Sequence, residues 1–491
     1  MALTENLFSN KNVHIIGIKG TGCAALVGIL LQQNCRITGS DGPDFYFTST
    51  LLDNLGITYH QQFSPDNISP DTDLIIHSAA YDDENNVEMK EARRRRLPVY
   101  SYPAALGHLS AAYYSVSVAG VHGKTTTSAL CGVIAKAMND YYQLGANILV
   151  GSAVPDFDDQ AVLLYPGGGD IFIAETCEYR RHFLHFHPKV ILLTSIEWDH
   201  QDYFTTPQDV HAAFMELCEK LPRAGTLICC ADDKGVQALL KDLAPKRPDL
   251  HIIQYGFSAH GSKYQILSSN VRRIQDSVMQ ECRIAAWDDP FHLQIPGRHN
   301  TQNATGAIAL CEHLMQRKNP SVAMKDWMPQ AMHALTEFRG TKRRAEIIGH
   351  ERDILIMDDY GHHPTAMAST LSGIKDFFQP KRLVVSFMSH TYSRTAAQID
   401  EFAQSLDEAD VLILHKIYGS ARENAHTGVN GRTLFEKCRN LQPQRQAYYV
   451  DEPMDALPLL ENILQPGDLF LTLGAGSNFH LSHALFKEWA S

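Results

Sequence analysis

Tyr114–Thr127 reads YSVSVAGVHGKTTT, and the order of its residues decides what kind of protein this is. A short β-branched run ends at Gly120, Gly123-Lys124-Thr125 follows, and a helical pattern sets in at Ser128. Strand, glycine turn, Lys-Thr, helix is how a loop presents backbone N–H groups and a helix N-terminus to phosphate oxygens. Lys124 is placed to reach terminal phosphates, and the Thr125 hydroxyl to ligate Mg²⁺. The spacing departs from the usual phosphate loop, because the position five before Gly123 is Val118 rather than glycine. A site for ATP or GTP is expected here.

Upstream, a strand over Val13–Ile16 runs into Gly17-Ile18-Lys19-Gly20-Thr21-Gly22 and an apolar helix over Cys23–Gln32. Arg36–Thr38 reads as a second strand ending in Ser40-Asp41, and Leu74–Ile76 and Val99–Tyr100 as further short buried strands. Strands alternating with helices predict a doubly wound parallel sheet. The glycines approach a dinucleotide fingerprint, but Lys19 holds a glycine-type position and the third glycine comes early. A phosphate-bearing nucleotide and a plain strand–helix turn both fit that pattern. Tyr102–Ser110 (YPAALGHLS) reads as a connection into the second domain.

Downstream, Ile171–Ala174 and Val190–Ser195 suit central strands, and Ile252–Ile295 alternates irregularly, as smaller antiparallel strands would. Pro296-Gly297-Arg298-His299-Asn300 leads into a helix over Thr301–Gln316, and Phe338-Arg339-Gly340 marks a second boundary. Beyond it, Ile354–Met357, Leu383–Phe387, Val411–Leu414, Ala447–Val450 and Leu469–Leu473 read as strands. The expectation is an α/β chain of three domains, residues 1–108, 109–337 and 338–491. Each is built on a Rossmann-like or P-loop-like, mainly parallel sheet flanked by helices.

Composition narrows the partners. The formal net charge of −12 argues against a nucleic acid or anionic membrane recruited by bulk charge. The run Arg93–Arg96 is read as the cationic end of a helix over Glu88–Arg96. Ten cysteines without a Cys-x-x-Cys read as reduced thiols, and no apolar run is long enough for a membrane span. The N-terminal MALTENLFSNKN lacks a signal-type apolar core, so a cytoplasmic protein is expected.

Polar clusters follow several predicted strands, where open α/β sheets bind ligands. Glu175, with Glu178 just beyond, follows IFIA and suits Mg²⁺ coordination. Glu197-Trp198-Asp199-His200 follows VILLTSI, and His200 suits a second cation or a phosphate; a structural Asp-His pair is the alternative. Asp358-Asp359-Tyr360-Gly361-His362-His363-Pro364 follows ILIM; zinc is disfavoured there, since adjacent side chains diverge and further ligands lack suitable spacing. In Ser389-His390-Thr391-Tyr392-Ser393-Arg394-Thr395, Arg394 suits a carboxylate held by two N–H groups, or else a surface arginine at a helix start.

Taken in order, these segments resemble the Mur ligases, the ATP-dependent amide-forming enzymes of bacterial peptidoglycan synthesis. The resemblance runs from Val13 to about Ser477 through GIKGTG, GVHGKTTT, AETCE, IEWDHQD, PGRHNTQNA, GTKRR, DDYGHHPT and HTYSRT. DYGHHP, the SRT segment and Tyr418-Gly419-Ser420-Ala421-Arg422-Glu423 favour the alanine-adding member. The resemblance implies a UDP-sugar domain, a central ATPase domain and a mobile C-terminal amino-acid domain. It implies that ATP phosphorylates the lactyl carboxylate of UDP-N-acetylmuramate and that L-alanine attacks the acyl phosphate, releasing ADP and phosphate. Roles in cell-wall biogenesis, cell shape and division follow, with Mg²⁺ as the cofactor and Mn²⁺ as the alternative. The partners are UDP-N-acetylmuramate, L-alanine and ATP, in a monomer or weak homo-oligomer.

Carried over by residue, the resemblance places Gly17, Gly20, Gly22, Ser40 and Asp41 at the UDP-sugar. It places Gly120, Val121, His122, Gly123, Lys124, Thr125 and Thr126 around ATP, with Thr125, Glu175 and His200 on metal. Asn300 and Asn303 would meet adenine, and Arg343 or Arg344 with Asp359 would reach the nucleotide when the third domain closes. Tyr360, His362, His390 and Arg394 would face the acyl phosphate and the amino acid. Lys124, Glu175, His200 and Arg394 are the expected catalytic set. Lys19, Val121, Cys177, Arg180, Ser195 and Thr391 depart from the family pattern, and no lysine lies between Gln201 and Leu217 to be carbamylated as in some relatives. A ligase recycling a murein tripeptide onto the same UDP-sugar remains the nearest rival. A slow ATP-switched binding protein is a rival of another class, and a nicotinamide oxidoreductase rests on the first glycines alone.

Overall fold

The structure is a computed structural model and describes residues 7–44, 47–274, 277–419 and 428–490. It contains three mainly parallel sheets and one small antiparallel sheet. In the first, β1 (Asn12–Ile16), β2 (Arg36–Ser40), β3 (Tyr59–His60), β4 (Leu74–His77) and β5 (Val99–Ser101) are ordered 3-2-1-4-5, all parallel. The order reverses at β1, so the turn after Ile16 opens at the switch point where such sheets bind ligands.

The second sheet holds β6 (Tyr114–Ala119), β7 (Ala146–Val154), β8 (Gln160–Leu163), β9 (Ile171–Glu175), β10 (Val190–Leu193), β11 (Thr226–Cys230) and β12 (His251–Tyr255). Its order is 12-11-10-6-9-7-8, with only β8 antiparallel to its neighbour. β6 therefore lies between β9 and β10, which brings the ends of three strands to one phosphate loop.

The antiparallel expectation holds for β13 (Ile266–Ile274), β14 (Ser277–Ile284) and β15 (Trp287–Leu293). The fourth sheet is ordered 16-17-21-18-19-20: β16 (Glu346–Glu351), β17 (Ile354–Asp359), β18 (Arg382–Phe387), β19 (Val411–Leu414), β20 (Gln446–Tyr449) and β21 (Asp468–Leu473). Only β16 is antiparallel. Its apolar runs are continuous because both faces are covered. Leu383, Val385 and Phe387 enter one core while Val384 enters the other, and Leu469, Leu471 and Leu473 oppose Phe470 in the same way.

The chain forms two compact units, Met1–Ile196 with His211–Gln265 and Asn303–Leu335, and Glu197–Val210 with Ile266–Gln302 and Thr336–Ser491. The first two sheets share the first unit because one core serves both. Leu26, Leu30 and Leu109 pack in a cluster with Leu149, Val162 and Phe172.

Two expectations are corrected. Tyr102–Ala111 is an α-helix, not a connection. Its proline lies in the first turn, where no N–H is missed, and Ser101 Oγ accepts from Ala104 N at 3.4 Å. Gly107 breaks nothing; a Cβ there would come within 2.3 Å of the His185 carbonyl oxygen, so glycine serves close packing. The helix after the phosphate loop spans Lys124–Tyr142 and so begins before Ser128.

Candidate functional site

The phosphate loop is built by strand order. Gly120, at φ +139°, ends β6 beneath Thr194 and Ser195 at the end of β10. Val121 N donates to Ser195 O at 3.0 Å, His122 N to Ser195 Oγ at 2.9 Å, and Thr194 Oγ1 to His122 O at 2.6 Å. Ser195, one of the departures, thus pins the loop. Gly123 then caps the helix Lys124–Tyr142 with no side-chain hydrogen bond, a terminus of the kind that can receive an anion.

Lys124 Nζ donates to Gly120 O at 2.5 Å, Val121 O at 3.2 Å and Glu178 Oε2 at 2.8 Å. Burial would lower its pKa, but the Glu178 and Glu175 carboxylates alongside more than offset that, so the value is raised and the ammonium stays charged. Thr125 Oγ1 donates to Glu175 Oε1 at 3.0 Å, and Gly151 N on β7 donates to Glu175 Oε2 at 2.7 Å. A hydroxyl and a carboxylate oxygen side by side are the hard donors Mg²⁺ takes, so the pair fits that ion. Gly151 is the wall of this pocket: a Cβ there would lie 2.4 Å from Glu175 Oε2. Asn303 lies against the same loop, its Oδ1 2.7 Å from where a Gly123 Cβ would stand.

At the first sheet, Gly17 lies in the turn after β1, Gly20 caps the helix Thr21–Gln32 and Gly22 sits in its first turn, while Ser40 ends β2 with Asp41 just beyond. Asp41 Oδ2 accepts from Lys19 N at 2.8 Å, while Lys19 Nζ donates to Gly42 O at 2.6 Å and Asp44 O at 2.7 Å. Lys19 therefore ties the glycine turn to the loop after β2. Ser40 is turned inward and donates to Glu88, which is fully buried. Glu88 also receives His14 Nε2 at 3.3 Å, Ser64 N at 3.1 Å and Asn67 Nδ2 at 2.6 Å. Burial pushes the Glu88 pKa up, but the bonds from His14, Ser40 and Asn67 overcome it, and the net shift is downward. Its contribution to stability is full above the ordinary glutamate pKa of about 4.3 and is lost as pH falls through the lowered folded value. Glu88→Ala strands these donors, and urea unfolding is expected to show a loss of about 3 kcal/mol at pH 7.

A cavity of about 190 Å³ in the first unit runs between these two places. It is lined by Gly22, Tyr102, Leu149, Glu175, Cys177 and His182 among others.

The second unit gathers the remaining candidates. Arg394 and Asp199 are 3% and 5% exposed and ion-paired, with Arg394 also against His390. His362 and His390 rings meet edge-on at 5.9 Å, and Tyr418 stacks on His390 at 5.8 Å. Burial and the Arg394 charge push the His362 pKa well below its ordinary value, so its ring is neutral. His200 adopts φ +56° and lies in this unit with Asp199.

Asp359 Oδ1 accepts from Gly361 N at 2.6 Å and Oδ2 from Ala345 N at 2.7 Å. Arg343 bonds Asp358 Oδ2 at 3.0 Å and Gly474 O at 2.8 Å, and the guanidinium carbons of Arg343 and Arg344 lie 5.0 and 5.2 Å from the Tyr360 ring centre. Asn300 Nδ2 donates to Pro296 O at 2.7 Å. Thr391 takes φ +67° and its N–H donates to Tyr418 O at 3.0 Å. Ser420–Glu423 of the YGSARE segment lie outside the described residues. Sequence reasoning missed Gly151, and it singled out Lys124 and Glu178 without pairing them, because 54 positions separate the two.

Residues 12–114 match the Mur ligase family, catalytic domain; residues 118–311 the Mur ligase middle domain; and residues 343–476 the Mur ligase, glutamate ligase domain. The chain is 45% identical over 479 residues to the UDP-N-acetylmuramate–L-alanine ligase of Treponema pallidum, covering 98% of this chain and 97% of the relative. It is 36% identical over 476 residues to the ligase of the same name from Desulfitobacterium hafniense, covering 96% and 99%. The solved structure of UDP-N-acetylmuramate-alanine ligase from Thermotoga maritima superposes with a TM-score of 0.75 at 23% identity, covering 98% and 99%. A murein peptide ligase from Psychrobacter arcticus gives 0.66 at 22%, covering 98% and 99%. These two solved structures bear on the fold, and the matched segments follow one another from β1 to the end of β21. The chain belongs to the Mur ligase family.

Proposed function

We propose that the protein joins L-alanine to the lactyl carboxylate of UDP-N-acetylmuramate, forming ADP and phosphate, in peptidoglycan precursor synthesis in the cytoplasm. The observation that carries this reading is the near full-length identity to relatives named for that ligation. The domains are residues 1–108 for the nucleotide sugar, 109–337 for ATP and 338–491 for the amino acid.

A UDP-sugar anchored at Gly17–Gly22 and Asp41 extends through the cavity toward Glu175. The helix N-terminus at Gly123 and the Lys124 ammonium take the ATP phosphates, drawing Lys124 from Glu178 toward them. Phosphoryl transfer between two anions depends on such charge neutralisation and positioning. Thr125, Glu175 and His200 would hold Mg²⁺, which would supply further neutralisation of phosphate charge. The carboxylate oxygen takes the γ-phosphoryl group, and the alanine nitrogen then attacks the acyl carbon. The C–N bond forms in a tetrahedral intermediate, which loses a proton from nitrogen and collapses as the C–O bond to phosphate breaks. Asn300, Asn303, Arg343, Arg344 and Asp359 contact the nucleotide, and Tyr360, His362, His390 and Arg394 the amino acid.

ADP formation is expected only when UDP-N-acetylmuramate and L-alanine are both present, and EDTA is expected to abolish it. Turnover with L-Ala-γ-D-Glu-meso-diaminopimelate in place of alanine would move the assignment to the recycling ligase. Phosphate release independent of both acceptors would favour a nucleotide-switched hydrolase.

A further inference from the structure

Within the second unit, one carboxylate oxygen collects three donors. Asp199 Oδ1 accepts from Arg394 Nε at 2.9 Å, Arg394 Nη2 at 2.7 Å and His200 N at 2.6 Å. Arg394 Nη1 lies 3.2 Å from His390 Nδ1. A guanidinium only donates, so that imidazole nitrogen must be the acceptor. His390 is thereby fixed as the tautomer with its proton on Nε2. Asp199, Arg394 and His390 form a carboxylate–guanidinium–imidazole chain, with the Tyr418 ring stacked on its end.

Arg394 has five N–H donors in a rigid planar fork. Asp199 takes the edge formed by Nε and Nη2, and His390 accepts from Nη1 through both Nδ1 at 3.2 Å and its backbone O at 3.3 Å. The second N–H of Nη2 is the donor that remains for another carboxylate. A side chain with four rotatable bonds holds that donor in place only if the rest of the guanidinium is fastened.

We propose that Asp199 is a positioning residue for amino-acid recognition, fastening one edge of Arg394 so that its remaining Nη2 N–H and the Nε2–H of His390 meet the carboxylate of the incoming alanine. The proposal rests on the ligase reading above.

The test separates the two half-reactions. Hydroxylamine is an amine without a carboxylate, and it traps an acyl phosphate as a hydroxamate. In Asp199→Asn, the amide oxygen still accepts from His200 N while the charge-assisted hold on Arg394 is gone. The KM for L-alanine is expected to rise about 10- to 100-fold, with the KM for ATP and hydroxamate formation from UDP-N-acetylmuramate within about 3-fold of wild type. Arg394→Lys, combined with Asp199→Asn, is expected to add little to the rise in alanine KM given by either change alone.

An unchanged alanine KM would overturn the proposal. So would a lowered one, since Asp199 would then be a competitor of the substrate carboxylate. Hydroxamate formation falling as far as alanine ligation would overturn it too, as a general loss of the metal side or of the fold. No hydroxamate in the wild-type enzyme would instead sink the ligase reading itself.

Discussion

Lys124→Ala is expected to lower kcat by about 10³- to 10⁴-fold and to lower the melting temperature by a few degrees. The rate loss follows from removing the one ammonium among the residues shown around this loop, where it is bonded to Gly120 O, Val121 O and Glu178. About 4–5 kcal/mol of transition-state stabilisation is the equivalent. Stability falls as well, because the substitution leaves the buried Glu178 carboxylate without its ion-pair partner, a loss that the helix-favouring alanine at the first position of Lys124–Tyr142 offsets only in small part. Steady-state ADP release with both acceptors saturating, set beside a thermal melt, checks both halves. A variant that keeps more than a tenth of wild-type turnover would remove Lys124 from phosphoryl transfer.

Gly120→Ala is expected to cost about 4 kcal/mol or more and to lower the melting temperature by about 10 °C or more. Two independent penalties meet there. The backbone sits at φ +139°, which residues with a Cβ rarely adopt, and the added Cβ would lie 2.0 Å from Thr194 Oγ1 and 2.9 Å from Ser195 N. Ser195 N is backbone of the segment directly after β10, held by the bonds of Ser195 O and Oγ to Val121 N and His122 N, so it cannot swing aside. Adding Thr194→Ala removes the nearest clashing atom and should restore part of the loss, leaving the dihedral strain. No recovery in the double variant would show that strain alone sets the cost.

Much of the architecture was legible because it is local. Alternating strand and helix patterns, each bounded by glycine or proline, locate β1, β2, β6, β9, β10 and β17 to within a residue or two. β7 was missed because Gly151 and Ser152 interrupt its apolar run, and that glycine is there to admit the Glu175 carboxylate. Tyr102–Ser110 was read as a connection, whereas Pro103 stands in the first turn of the helix Tyr102–Ala111 and Gly107 lets His185 approach.

From residue order alone came the phosphate-loop unit, the division into successive α/β sheets, and the types of side chain at strand ends. All of these depend on neighbours a few positions apart, where backbone stereochemistry and hydrophobic periodicity act directly. Only the tertiary structure decided who partners whom. Lys124 meets Glu178 because β6 and β9 are adjacent in the sheet, and Arg394 meets Asp199 across 195 positions of chain. A buried charge takes the nearest opposite charge that the sheet order and the packing of its unit bring to it, and that proximity is a property of how the chain folds back on itself.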